Sequence, residues 1–412
     1  MSGKVDISGF KKGDDILYKS MKIKTHGKEA LTPVKAIDLS KIKSKFEINR
    51  EEFGINEIHR EVYEVDQIYR SGDRQGQVRI SSIKSMNEDI ELQESFENTL
   101  HFRKNRSRPK DITMCFLDFK GNHYPNKDEI EFIADMSYNY SDLIPFPIVS
   151  MTKNIKNLSD FNKYLDFLKQ YYEILNTLNE KPIIGIIPKI GRTYLDPLFD
   201  FYYGNDINAF YFDFECRQPI KLRPNIRKFF RKINDEDMLE KCFLHSTNIY
   251  SGRFRLSDYA INAKDILSFG LGFDSMGRNM RKPPPPSVIE KLPPNPERRF
   301  RLFNKTDYGY YQLQPNKINV LFPDDTKLEK RFFTNPNINI YDIQHNFNME
   351  QQGLEAVNLR KIINETPEEY LKEKEFVSDE DVSTLKKVHD FVMKSSSSDI
   401  KKKKKSRSLF DF

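Results

Sequence analysis

The chain has 412 residues, 38% of them hydrophobic and 31% charged, with a formal net charge of +6 concentrated towards the C-terminus. That is enough apolar material for one large domain or two ordinary ones beneath a heavily charged surface. Three scattered cysteines, Cys115, Cys216 and Cys242, contain no CxxC pair, which argues against a disulfide framework and against a Cys-rich zinc knot. The opening "MSGKVDISGFKKGDD" lacks an apolar core of leader length, and no apolar run approaches membrane-spanning length. A soluble, intracellular, cytoplasmic protein is expected, with no membrane partner.

Residues 1–20 read as a polar N-terminal arm. "MKIKT" and "PVKAID" are short strands joined by a Gly-containing turn, and "EVYEVDQIYRSGDRQGQVRISSI" reads as a hairpin. From residue 110 short apolar runs alternate with amphipathic stretches. "DITMCFLDF" precedes the helical "KDEIEFIADMSYNY". "LIPFPIVS" precedes "SDFNKYLDFLKQYYEIL", whose stripe is Phe161, Leu165, Leu168, Tyr172 and Leu175, with Ser159 or Asp160 as N-cap. "PIIGIIPKI", "AFYFDFE", "CFLHSTN" and "ILSFGLGFD" continue the apolar series, with "TYLDPLFDFYY" and "PNIRKFFRKI" as helices between them. Such alternation means βαβ units and a parallel sheet. The expected fold class is α/β, a (β/α)8 TIM-like barrel over residues 21–280. A doubly wound sheet is the alternative, but no GxGxxG loop follows an early strand. Residues 281–390 form a Pro-rich connector and C-terminal helical extension, and 391–412 a disordered Lys-rich tail.

Asp274 ends "LSFGLGFD", and a carboxylate at the carboxyl end of a barrel strand is where many enzymes keep their chemistry. Asp118 ends "DITMCFLDF" in the same way. Asp213 and Glu215 close "AFYFDFE", where either can serve a ligand or pair with Arg217. In "CFLHSTN", His245 reads as a buried core residue and Asn248 as a pocket candidate. Arg253 and Arg255 in "YSGRFRLSD" can hold a phosphate or solvate a loop, and Arg278 follows Asp274 closely. "RPNIRKFFRKI" interleaves Arg and Lys with Phe229 and Phe230, which suits backbone contact with base stacking or a basic solvated helix face.

Five stretches, in order, resemble the queuine and archaeosine tRNA-guanine transglycosylases. They are "MKIKTHGKEALTPVKAID" (21–38), "FLDFKG" (116–121), "GIIPKIGRTYLD" (185–196), "FDS" (273–275) and "IQHNFNMEQQGLEAVNLRKII" (343–363). The resemblance implies a (β/α)8 barrel that exchanges guanine in a nucleic acid for a 7-deazaguanine base, its co-substrate. Asp274 would be the nucleophile that forms a covalent sugar ester, and Asp118 the proton-transfer group, by logic parallel to a retaining glycosidase. Asp213 would accept from the base, with Lys189 donating to its O6. The family's small residues after the second aspartate are absent here, Pro188 and Lys189 stand where it has glutamine, and the segment "TNPNINIYD" just before His345 has no cysteine. No zinc and no other cofactor are therefore expected.

The closing "KSRSLFDF" resembles a sliding-clamp-binding peptide, with Leu409 and Phe412 at the right spacing for its apolar anchors. A clamp partner favours DNA over tRNA as the substrate. The same exchange on tRNA, and a barrel without catalysis that binds nucleic acid beside the clamp, are the alternatives. The oligomeric state, a homodimer included, stays open.

Overall fold

The computed structural model describes residues 3–43, 45–70, 77–100, 107–178, 180–255, 258–280 and 298–394. The clamp-like Leu409 and Phe412, and nearly all of the Pro-rich connector, lie outside the described residues.

The architecture is mixed α/β around parallel strands. One ladder has six strands in the order Ile144–Pro145, Ile183–Ile187, Ala209–Arg217, Phe243–Ile249, Ser275–Met276, Val34–Lys35, and every pairing in it is parallel. A second ladder runs Ile148–Val149, Ile112–Lys120, Ile55–Tyr63, Ile37–Asp38, again all parallel. Strands such as "IIGII" are buried throughout, as expected where both faces of a parallel sheet are covered.

Helices follow the strands as their periodicity predicts. Lys127–Tyr140 begins at Asn126, whose side chain accepts from Glu129 N while the Glu129 carboxylate accepts from Asn126 N. Leu158–Leu178 buries Phe161, Leu168 and Leu175 of the expected stripe. It starts slightly earlier than expected, with Asn157 rather than Ser159 or Asp160 accepting from the first turn, at 2.9 Å from Asp160 N.

Three expectations need correction. Within the stretch expected as a polar arm, residues 3–20 carry a paired strand and a buried apolar segment. Asp6–Lys12 pairs antiparallel with Lys19–Thr25, and Ile16, Leu17 and Tyr18 are buried between them. "ILSFGLGFD" is not a strand: Ile266–Leu271 is a 3-10 helix closed by left-handed Gly272, and the short strand Ser275–Met276 begins only after Asp274. In Arg223–Asp235, Phe229 and Phe230 are core residues, Phe229 packed edge-on to Phe210 and Phe212 and Phe230 to Phe273, so neither is available to stack on a base. The basic side chains of that helix stay outside, where Lys228 meets Asp196 at 2.7 Å and Arg231 meets Asp235 at 3.0 Å.

After the parallel strands come a three-stranded antiparallel sheet (Ala260–Asn262, Gly309–Leu313, Phe300–Asn304) and the long helix Ile340–Ile362. The charged closing segment forms Pro367–Lys372 and Asp379–Met393, and the latter is tied to Arg223–Asp235 by Arg231 and Asn234 donating to Phe391 O and Val392 O. Among the described residues no helix is long and apolar enough to cross a membrane.

Candidate functional site

Side chains two apart on a strand share a face. On Ile55–Tyr63 this places Glu57, His59 and Glu61 together; on Ile112–Lys120, Phe116, Asp118 and Lys120; on Ala209–Arg217, Tyr211 and Asp213. These faces meet. The Phe116 ring stacks on His59 at 4.6 Å and on His245 at 5.7 Å, and Tyr211 stands edge-on to it at 5.0 Å. Phe116, Tyr211 and His245 are fully buried. They form a closed aromatic floor, and Asp118 and Asp213 each stand one face position further along their strands.

Glu57 anchors the floor. Its carboxylate receives His245 Nε2 at 2.5 Å and Arg278 N at 2.7 Å, with His59 Nε2 at 3.4 Å. Burial opposes its charge, but the two imidazoles outweigh burial and hold the carboxyl well below its usual range. Burial, assisted by Arg278, pushes His59 down to about 4. Gly277 is required beside this group, because a Cβ there would lie 1.9 Å from Glu57 Oε1.

Above the floor lie the two rim carboxylates. Asp118 Oδ2 receives Lys120 Nζ, which also lies 3.5 Å from Glu61, while Asp118 Oδ1 is buried and has no hydrogen-bond partner. Burial pushes the Asp118 carboxyl up; Lys120 pulls it back, and the charge of Asp213 raises it further. Asp213 Oδ1 receives Asn248 Nδ2 at 2.9 Å and Glu215 N at 3.0 Å. Burial raises this carboxyl as well, against those two hydrogen bonds and the Arg278 charge. Arg278 Nε donates to Asn248 Oδ1 at 2.6 Å and so orients the amide that serves Asp213. The ladder register slips between Asp213 and Arg217, and Glu215, Cys216 and Asn248 all have positive φ, at 46°, 59° and 55°. Left-handed backbone at non-glycine residues is strained and clusters at functional sites. Here it re-aims the strand end that carries Asp213.

The structure therefore unites four expected residues: Asp118, Asp213, Asn248 and Arg278. Lys189 and Arg253 are exposed, on the loops that follow Ile183–Ile187 and Phe243–Ile249. Asp274 stands elsewhere. Its carboxylate accepts from Leu244 N at 2.8 Å and pairs with Lys19 at 2.8 Å, the two side chains 0% and 3% exposed. Leu244 lies three residues before Thr247, the strand partner of Asp213. At about 3.3 Å per residue, Asp274 sits roughly 10 Å towards the strand starts from the Asp213 level. It belongs to the floor's underside, closed by the N-terminal hairpin, and not to the rim. Burial pushes its carboxyl up to about 6, with Lys19 opposing.

Sequence reasoning passed over Glu57, His59 and Lys120. The signal was "NEIHREV", in which Glu57, His59 and Glu61 alternate with Ile58, Arg60 and Val62. Among the described residues no group of three or more His, Cys, Asp and Glu side chains is arranged to hold a metal. Cys115 and Cys242 are buried free thiols, and Cys216 donates to Met280 O.

No family model matches the chain, and comparison with curated proteins gives no match. Among solved structures, the chain is similar to the Ignisphaera aggregans GH53 catalytic domain at 9% identity and a TM-score of 0.26, over 53% of this chain and 64% of that one. It thus spans less than two thirds of that domain's length. It is also similar to the enoyl reductase domain of MlnA from the macrolactin biosynthesis cluster of Bacillus amyloliquefaciens, at 10% identity and a TM-score of 0.24, over 77% of this chain and 88% of that domain. Likenesses this faint carry no argument about fold or chemistry.

Proposed function

We propose that the chain is a (β/α)8 barrel that exchanges guanine for a 7-deazaguanine base in nucleic acid, DNA in preference to tRNA, with Asp118 and Asp213 as its working carboxylates. For the barrel, the two parallel ladders share both seams. One ends on Val34–Lys35 and the other begins at Ile37–Asp38, with only Ala36 between them; Phe146 and Pro147 alone separate Ile144–Pro145 from Ile148–Val149. Joined at those two places, the ladders supply eight parallel segments, the strand number of this fold, which supports the barrel reading.

The observation that carries the chemistry is the rim pair: the buried carboxylate of Asp213 and the mostly buried one of Asp118, both raised by burial, above a closed aromatic floor. Base exchange with retained stereochemistry needs a nucleophile and a proton-transfer group. Asp118 takes the first role, since it stands with Asp213 at the strand ends and Lys120 holds its Oδ2. Asp118 Oδ1 attacks the anomeric carbon, the bond to the guanine nitrogen breaks with its electrons passing to the base, and Asp213 protonates that base. The incoming base gives its proton to Asp213 and attacks the same carbon, and Asp118 leaves. No nucleotide triphosphate is consumed, because the ester keeps the glycosidic bond energy. Asn248 and Arg278 position Asp213. In this reading the nucleophile expected at Asp274 moves to Asp118, because Asp274 sits at the Leu244 level, roughly 10 Å from the level of Asp213. The preference for DNA rests on the sequence "KSRSLFDF" and on the missing cysteines of the family's zinc module.

The test offers a labelled 7-deazaguanine base with duplex DNA, single-stranded DNA or tRNA. Label should enter DNA, and a covalent protein–DNA adduct should survive denaturation. Asp118→Asn should abolish both, by about 10³-fold or more. Label entering tRNA alone would move the substrate to tRNA. Absence of label in every nucleic acid would refute the exchange reading and leave the non-catalytic binding barrel.

A further inference from the structure

A cavity lies beyond the Gly277 segment, between strand Val34–Lys35 and helix Ile340–Ile362. Its volume is about 370 Å³, within the range of small-molecule sites. Lys35 lines it and is 4% exposed; its ammonium donates to Gly277 O. Burial pushes this ammonium down to about 8, against the pull of Glu57, Asp265 and Asp38.

Asn279, Tyr310 and Gln352 in the wall are held from behind by Asp265, which does not line the cavity. Asp265 Oδ2 gathers Asn279 Nδ2 at 2.6 Å, Tyr310 OH at 2.6 Å and Gln352 Nε2 at 3.0 Å. That network locks the amides in one orientation and leaves Asn279 Oδ1 buried without a hydrogen-bond partner. His345 Nε2 is likewise buried and unpartnered, and burial holds the ring at about 4, so it is neutral at pH 7. Burying polar atoms without partners costs free energy, which a ligand can recover. At the mouth Tyr341 is 72% exposed and Lys41 is also exposed. Asp342 is the one carboxylate among the described lining residues, against the two lysines.

We propose that this cavity binds a nucleoside 5′-monophosphate unit, with its phosphate against Lys35 and His345 and its base at the mouth against Tyr341. A cation deep in the wall, a neutral ring donor beside it, oriented amides and an exposed aromatic face suit the parts of a nucleotide in that order. The unit is a free nucleotide or the 5′-phosphorylated end of a strand, since a phosphate placed deep leaves no room for chain on its far side. The proposal is independent of Asp118 and Asp213, so either reading can fail alone.

The test is calorimetric titration of the full chain with GMP, guanosine, inorganic phosphate, and a short oligonucleotide with either a 5′-phosphate or a 5′-hydroxyl. GMP should bind at least tenfold more tightly than guanosine or phosphate. Lys35→Met, His345→Gln and Tyr341→Ala should each weaken GMP at least fivefold. Tyr341, being exposed, guards against loss of the fold in the Lys35 variant, and thermal melting of each variant checks this. Tighter binding of the 5′-phosphorylated oligonucleotide than of its 5′-hydroxyl twin identifies a strand end, and binding of free GMP alone identifies the mononucleotide. No GMP binding at millimolar concentration would overturn the proposal. So would equal affinity for phosphate and GMP, or a folded Tyr341→Ala chain that binds GMP as the wild type does.

Discussion

Replacing Lys19 by Met removes the counter-charge of Asp274 without emptying its volume. Lys19 and Asp274 are 2.8 Å apart and almost wholly buried. Breaking such a pair by deleting one partner costs about 3–5 kcal/mol, because the remaining charge is stranded. The cost has a defined pH dependence. In the wild type Asp274 titrates at about 6 in the fold and near 3.9 in the unfolded chain. A raised carboxyl adds stability that is full below about pH 4 and is lost as pH rises through about 6. Without Lys19 the folded carboxyl shifts higher still, so in Lys19→Met the loss continues above pH 6 while the wild type has levelled off. The gap between the two should be small near pH 5 and should widen towards pH 8. Urea unfolding at pH 5, 6, 7 and 8 measures it directly. Combining Lys19→Met with Asp274→Asn removes both charges and should recover most of the stability at pH 8. A gap that does not change with pH, or no gap at pH 8, would refute the ion-pair reasoning. If the folded double variant loses base exchange, Asp274 returns to the catalytic set.

Asp118→Asn should leave the chain at least as stable as wild type at pH 7, whatever it does to the proposed base exchange. Its carboxyl is raised, so ionisation costs folding free energy that an amide does not incur, and a higher melting temperature is the expected readout. Glu57→Gln should cost about 2–3 kcal/mol at pH 7 by weakening charged hydrogen bonds to His245 and Arg278 N. The Glu57 carboxyl is depressed, so its contribution is full above about pH 4.3 and fades as pH falls below it; urea midpoints of the two proteins should converge there. Gly353→Ala should destabilise by about 1–3 kcal/mol in thermal melts, because a Cβ would stand 1.7 Å from Phe53 Cε1 and force the helix Ile340–Ile362 away.

Regular elements were legible where burial has a period. "KDEIEFIADMSYNY" shows the helical spacing of Lys127–Tyr140, and "IIGII" reads as a strand bounded by prolines. Asp118, Asp213 and Asn248 were legible because polar residues interrupt or end apolar runs. Asp274 misled for the same reason. Ile266–Leu271 is buried on every side, so its alternation of Leu267, Phe269 and Leu271 mimics a strand while the backbone turns in a 3-10 helix. Nothing local announces that Lys19 lies beside Asp274, since the two stand 255 positions apart in the sequence. Glu57 and His59 went unread because interior-facing charges invert the usual pattern, and only the imidazole partners make them tolerable inside.

The pairing of Val34–Lys35 with Ser275–Met276 sets a schedule for synthesis. The two segments leave the ribosome about 240 residues apart. At about 5–20 residues per second, the first waits roughly 12–50 s for its neighbour. During that interval one edge of Val34–Lys35 offers unpaired backbone to any passing strand, and the Lys19 amine lacks its carboxylate. The nascent chain is therefore open to mispairing at Val34–Lys35 for that interval, and a factor that shields the first 40 residues until Ser275–Met276 emerges should raise the folded yield.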